Sequence, residues 1–390
     1  MKIKNILSKL NTNYFRLISA VSKKEIRQLK RDPRLLFVIF FIPVFLLIIF
    51  GYAINFDVRH IKLAVYDQEK SELSRAFLNL LSSSDYFDIV YQLNNFTEAD
   101  KILDKKIAQC VIIIPHDLSK KLHTGQDVKI QFLIDGVDGN TASIIKNYIS
   151  MATFYMNGNL MKEVYGRLGY KTYNIIEFEP IFWYNPSLQT TRFLVPGLIS
   201  TILLLTSVIS ISLTLVREKE RGTQEQLDIS LVSSFQLLIG KIIPYLVIAF
   251  LNATIILLTS YIFFDVQVKG SYLELFFTTL LFLFASANLG IFISTISDSQ
   301  QVAFSIATFI SLLPSVILSG FIFPIQNMPY LVRLLTNITP AKFYIVMLRN
   351  IMLKGVGAEN YFIQIVYLLI FALIPLVLSL IINKRRLERV

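Results

Sequence analysis

Residues 217–241 read REKERGTQEQLDISLVSSFQLLIGK, a polar island between two long apolar runs. Its first five residues, Arg217, Glu218, Lys219, Glu220 and Arg221, are all charged, and charge of that density ends a membrane span. Gly222 then breaks the backbone. Thr223, with Gln226 three residues later, has the spacing of a capping box and opens a new short helix. A capped, charged stub held at the membrane by a span on each side is shaped to be gripped from the cytosol.

Working outward, the chain is 54 % hydrophobic over 390 residues, with a mean hydropathy of +0.57. A helix needs about 20 apolar residues to cross a bilayer, and six runs qualify: 35–54, 193–216, 241–264, 273–296, 302–323 and 361–382. The fold class is therefore a polytopic α-helical membrane protein with six transmembrane helices. The first run is expected to stay as an anchor. It contains Pro43, it is longer than a signal-peptide core, and no small-x-small cleavage pattern follows it.

The net charge of +11 is unevenly spread. Residues 1–34 carry ten Lys/Arg against Glu25 and Asp32, and the tail adds Lys384, Arg385, Arg386 and Arg389 against Glu388. Basic clusters beside spans face the cytoplasm, which puts both termini there, as an even number of spans requires. Residues 55–189 hold 14 basic and 16 acidic residues, the balance of a soluble domain. The excess charge is topological and lipid-facing, and no nucleic-acid partner is expected.

The domains follow. Residues 1–34 form an interfacial helix, with Ile3, Ile6, Leu7, Leu10, Tyr14, Leu17, Ile18 and Val21 at helical spacing and a basic face for anionic lipid. Residues 35–54 are the first span, and 55–192 an extracytoplasmic α/β domain inserted between helices one and two. There, β-branched runs (61–66, 87–91, 110–114, 128–134) alternate with helical patterns (71–81, 98–105, 118–123, 141–156). The lone Cys110 reads as a small buried hydrophobe. Residues 193–390 carry the other five spans, the cytoplasmic loop 217–240 and an outer segment, 324–360. In that segment 328–335 and 341–353 read as amphipathic re-entrant or interfacial helices, and Arg333, Lys342, Arg349 and Lys354 put four positive charges on the outer side, against the charge rule.

No P-loop, H-E-x-x-H, G-x-S-x-G or Cys/His cluster occurs, and His60, His116 and His123 are scattered. No catalytic residues, no metal and no cofactor are assigned to this chain; it reads as a non-enzyme. Within the spans, Asn252, Ser286, Asn288 and Ser305 are the notable polar residues. They either line a substrate path or bond one helix to another. No span carries a central carboxylate, which argues against an ion-coupled transporter, so the energy source lies outside the chain.

Five pieces, in order, resemble the type-2 ABC export permeases, in the bacterial branch with a large domain after the first span. They are Arg31-Asp-Pro-Arg34; Val65-Tyr-Asp67, Ile113-Ile-Pro115 and Leu133-Ile-Asp-Gly136; Arg192-Phe-Leu-Val-Pro-Gly197; the island with Leu238-Ile-Gly-Lys-Ile-Ile-Pro-Tyr245; and Leu318-Ser-Gly-Phe-Ile-Phe-Pro324 with Met328-Pro329, Pro340 and Arg349 to Lys354-Gly355. The resemblance implies a permease that pairs with a second one and docks on separate ATPase subunits, which bind the ATP and magnesium. It makes 220–231 the coupling helix, with Gly222 as hinge, Thr223 as cap, and Glu218, Glu220, Arg221 and Glu225 as charged contacts beside Leu227 and Leu231. Phe321, Phe323, Pro324 and Met328 become an outer gate. The island lacks the proline usual after Leu227, which bears on the length of that helix.

The leading expectation is thus an exporter's permease moving a drug, lipid or other amphipathic molecule outward, with a periplasmic adaptor as a further partner. The alternative is a membrane-anchored receptor or scaffold whose large domain binds a periplasmic partner without transport.

Overall fold

A computed structural model describes residues 2–53, 60–84, 86–124, 126–167, 183–185, 189–222 and 233–387. It divides into two compact units, one of Met1–Asn55 with Phe182–Val390 and the other of Phe56–Ile181. The first unit begins with α1 (Lys2–Lys30) and α2 (Pro33–Ala53), separated by Arg31 and Asp32. Proline suits the first turn of a helix because its missing N–H would be unpaired there anyway, so Pro33 starts α2 rather than interrupting it. One stripe of α1 is buried: Ile18, Val21, Glu25 and Leu29.

The second unit runs β1 (Ile61–Asp67), α3 (Glu72–Ser82), β2 (Phe87–Gln92), α4 (Glu98–Asp104), β3 (Cys110–Ile114), α5 (Leu118–His123), β4 (Gln131–Ile134) and α6 (Gly139–Arg167). The sheet order is β2-β1-β3-β4; β1 is parallel to β2 and β3, and β4 is antiparallel to β3. Every residue of β3 is buried. Cys110, Ile112 and Ile114 pack with Phe77 and Leu81 of α3 and Ile145 and Ile149 of α6. Val111 and Ile113 pack on the other side with Ala99 and Ile102 of α4. A strand covered on both faces reads as a continuous apolar run. The fourth strand is shorter than the expected 128–134, because β3 stops at Ile114 ahead of Pro115 and its partner strand runs out.

The first unit resumes with α7 (Thr190–Glu220), α8 (Ser234–Phe264), α9 (Tyr272–Ile296) and α10 (Gln300–Ile317). Two short turns, Ile325–Asn327 and Thr336–Ile338, flank α11 (Tyr330–Leu335); then come α12 (Pro340–Leu348), a wide turn Arg349–Lys354 and α13 (Phe362–Leu387). Among the described residues six helices are long and apolar enough to cross a membrane: α2, α7, α8, α9, α10 and α13. In α7 and α9 about 70 % of the apolar window is buried (71 % and 67 %), against 22–39 % in the other four. These two are the central pair, and the rest surround them.

Three expectations are corrected or narrowed here. First, α7 does not stop at 216; it continues through Arg217–Glu220 before breaking. Second, the run 302–323 is helical only to Ile317. Beyond it the carbonyls of Gly320 and Phe321 accept from Arg349 (3.1 and 3.4 Å), which also donates to the Phe193 carbonyl (3.1 Å) and lies 3.8 Å over the Phe193 ring. That use accounts for Arg349, one of the four cations that broke the charge rule. Third, of the re-entrant and interfacial readings of 341–353, α12 fits the re-entrant one, as the second arm of a helix pair bent by 90°. Phe343, Tyr344, Met347 and Leu348 are buried, and Tyr344 stacks on Phe282 at 4.1 Å while its hydroxyl meets Thr279 Oγ1 at 2.9 Å.

Burial pushes the Cys110 thiol up to about 12, and the thiolate is the reactive form. Maleimide at mildly alkaline pH should therefore leave Cys110 unlabelled in the folded protein and label it fully in SDS. Reaction of the folded protein at the rate of a free thiol would contradict this core.

Candidate functional site

At the start of the island, three consecutive side chains are committed to three different places in the helical unit. Glu218 accepts from Lys241 Nζ on α8 and from Lys24 Nζ on α1. Lys219 Nζ donates to the carbonyls of Ser294, Thr295 and Ser297 (3.0, 3.1 and 2.8 Å). Those groups end α9, and a cation there satisfies open carbonyls and the helix dipole together. Glu220 accepts from the backbone N–H of Gln300 (2.6 Å) and from its side-chain amide, at the N-terminus of α10, where an anion is favoured for the converse reason. One turn of α7 thus holds α1, α8, α9 and α10.

Helix α7 then ends at Arg221, and Gly222 has φ +68°, a conformation other residues seldom adopt. Arg221 and Gly222 are exposed. Thr223, Glu225, Leu227 and Leu231, with the expected cap and coupling helix, lie outside the described residues. A capping box is present further on. Ser233 Oγ accepts from the Gln236 N–H (3.3 Å), and Gln236 Oε1 accepts from the Ser233 N–H (2.9 Å). It opens α8, and Ser233-x-x-Gln236 was legible as the same signal read at 223.

The expected charged contacts therefore separate. Glu218 and Glu220 are engaged within the chain, Glu218 at only 6 % exposure; Arg221 points to the surface. Sequence reasoning missed Lys24, Glu25 and Lys241, whose side chains complete the buried cluster. Lys241 is 3 % exposed and Glu25 2 %, with Glu25 Oε1 3.7 Å from Lys241 Nζ. The backbones come close enough for this because Gly240 lies against α1: a Cβ there would sit 2.8 Å from Val21 Cβ and 3.1 Å from the Ile18 carbonyl. Ser22 Oγ donates to the Gly240 carbonyl at 2.7 Å. A polar cavity of about 90 Å³ adjoins the cluster, lined by Gln28, Thr214, Arg217 and Tyr245 among others.

The mid-span polar residues are not brought together. Asn288 donates from Nδ2 to the Ala372 carbonyl of α13 (2.9 Å), a helix-to-helix bond. Ser286 bonds within its own helix, to the Phe282 carbonyl. Ser305 is exposed on α10. Asn252 is buried beside Thr206, Ser207 and Ser210 around a cavity of about 10 Å³, room for a single water. Of the outer residues, Phe321 is buried, its ring filling the space left by Gly197, where a Cβ would lie 2.2 Å from the Phe321 ring. Phe323 and Pro324 are exposed and Met328 half-buried. Among the described residues no group of His, Cys, Asp and Glu is placed to hold a metal.

Comparison with known proteins matches residues 33–381 to a family described as ABC-2 family transporter protein. Similar proteins include the probable multidrug ABC transporter permease YbhS of Escherichia coli (strain K12), 31 % identical over 382 residues, 96 % of this chain and 98 % of that one. The probable multidrug ABC transporter permease YbhR of the same strain is 29 % identical over 88 % of this chain and 92 % of its own. The inner membrane transport permease YhhJ is 25 % identical over 76 % and 78 %.

Two predictions follow from the charge cluster. Removing one partner of a buried ion pair typically costs about 3–5 kcal/mol, because the other charge is left uncompensated. Lys241→Met leaves Glu25 and Glu218 in that position, and denaturant melts in detergent should show a loss toward the lower end of that range, since Lys24 still reaches Glu218. Glu25 is held above its ordinary 4.5, chiefly by burial and against the pull of Lys241. The folded state therefore binds this proton more tightly than the unfolded one. That stability is full below about 4.5 and is lost as pH rises through the folded value. Melting temperatures of wild type and Glu25→Gln, measured across pH, should diverge in favour of the variant as pH rises from that point; parallel curves would show the carboxylate is not desolvated.

Proposed function

The chain belongs to the ABC-2 family of transporter proteins, and from this we propose that it is the membrane subunit of an exporter that moves an amphipathic drug or lipid outward across a bacterial inner membrane. ATP and magnesium are bound and ATP is hydrolysed on a separate cytoplasmic ATPase, and the permease works beside a second permease of its own kind or a related one. The observation that carries this reading is the island: a short charged connection whose base is closed by the Glu218–Lys241 pair, so that both flanking helices meet whatever docks there as one body. Both termini and the island lie in the cytoplasm. The α/β unit and the segment 318–361 lie outside, where an adaptor can reach the former. The names of YbhS and YbhR support the substrate class, as does the apolar exposure of the peripheral helices.

The test is ATP turnover by the cognate ATPase in nanodiscs, with and without this chain. Glu218 and Glu220 are poor positions to probe, since their loss would loosen the permease itself. Glu225→Ala with Leu227→Ala leaves those bonds intact. Wild type should stimulate turnover and the double variant should lose the stimulation at unchanged melting temperature. No stimulation by wild type would favour the receptor reading.

A further inference from the structure

We propose that Arg333 and Lys342 bind the headgroup of an anionic phospholipid of the outer leaflet, with α11 laid along the acyl boundary beside them. This rests on the reading of residues 318–361 as lying at the outer membrane face. Helix α11 buries none of its residues. Tyr330, Leu331, Leu334 and Leu335 are 78 %, 75 %, 60 % and 49 % exposed, and Ile338 in the following turn 59 %. So much uncovered apolar surface on so short a segment needs an apolar neighbour. The chain ties it to the membrane at both ends, through α10 and α13, and its axis turns 90° from that of α12. Along the chain the apolar exposure continues through Phe323 to Ile317 and Leu313 on α10, so α11 extends a surface that already faces lipid.

The charges select the headgroup. Thr336 joins the two cations into one feature: its hydroxyl donates to the Arg333 carbonyl (2.6 Å) and accepts from Lys342 Nζ (2.8 Å). Lys342 donates also to Asn337 Oδ1 (2.7 Å). These acceptors are neutral, so neither offsets the charge of the ammonium, and a third N–H remains to it. Arg333 is exposed and close enough to repel Lys342, and neither has a carboxylate partner among the described residues. The flanking acids in sequence are Asp298, which precedes α10, and Glu359 in the turn Ala358–Asn360, and neither pairs with Arg333 or Lys342 among the described residues. Two adjacent cations at the polar edge of an apolar helix form the pattern that holds an anionic lipid at an interface. A second copy of this chain would bring further cations to the same place.

The experiment uses the full chain in phosphatidylcholine nanodiscs containing a trace of photoactivatable phosphatidylglycerol, with adducts mapped by mass spectrometry. Peptides spanning 323–342 should be labelled. Labelling there should fall about thirty-fold in Arg333→Gln with Lys342→Gln, as expected for two charges near a surface at about 1 kcal/mol each, and with excess phosphatidylglycerol but not phosphatidylcholine. Adducts on α1, which has its own basic face, serve as the internal standard and should not differ between wild type and the double variant. Equal labelling of wild type and variant, or equal competition by the two lipids, overturns the site; crosslinks from this segment to a second copy of the chain replace it with a protein contact. Arg333→Lys should retain labelling, which separates loss of charge from misfolding. Because no ATPase is present, the result stands apart from the turnover test: lost stimulation with labelling intact leaves the site in place, and the converse removes the site alone.

Discussion

Lys241, withdrawn from solvent between the carboxylates of Glu218 and Glu25, is the constraint on which the arrangement of the helical unit turns. An ammonium cannot be buried unpaired, so wherever α8 begins, a carboxylate must come to it; Glu218 of α7 supplies that charge, and Glu25 of α1 lies 3.7 Å from the same nitrogen. That requirement fixes the rotation of three helices and the height of each along the others. A buried pair adds little net stability over an apolar substitute, and the apolar packing of α7 and α9 supplies that in any case. What the cluster contributes is register, since a helix sliding by one turn would leave a charge alone. The same logic places Lys219 and Glu220 on opposite helix ends, with each charge matched to the sign of the dipole it meets.

Close backbone approach is what makes such pairing reachable. Gly240 removes the side chain that would hold α1 away, and Gly197 makes room for Phe321. In lipid, apolar helices gain little from being near one another, so association depends on contact and hydrogen bonding. The bonds from Ser22 to the Gly240 carbonyl and from Asn288 to the Ala372 carbonyl supply the latter. Arg349 is a third solution, a cation dissolved in carbonyls where α10 ends.

The parts of the fold that were legible in sequence are those set by local pattern. Cys110–Ile114 is a strand of the expected extent because both of its faces are covered and its run is therefore unbroken. The span of α9 agrees closely because Ser271 caps it and apolar residues fill it; α8 instead begins at its Ser233 cap, about two turns ahead of the expected 241, inside what reads as the polar loop. Legibility failed where a distant partner decided the outcome. Glu218 reads as an exposed contact when only its neighbours in sequence are known; its partners lie 194 and 23 residues away. The end of α10 was masked by the apolar run, although Gly320, at φ +81°, and Pro324 mark it locally, and Arg349 takes up the carbonyls of Gly320 and Phe321 beyond it. Helix α12 looks amphipathic by its charges, yet those charges turn inward to carbonyls or back to Thr336, leaving its apolar residues free to fill the core.

These bonds also decide what the island can transmit. A loop fastened at one end pivots, and a push on it is spent in bending. This loop leaves α7 one turn after side chains that hold four other helices, and it returns to α8 through a capped start and a lysine paired across its base. In the proposed permease, force applied between 222 and 232 therefore reaches α1, α9 and α10 as directly as it reaches α7 and α8. In that proposal the point of give is Gly222, whose φ of +68° ends α7 just beyond the clamp. A docking partner can then reorient the stub while the clamp stays closed, and any opening of the helices beyond it proceeds as a shift of one packed body.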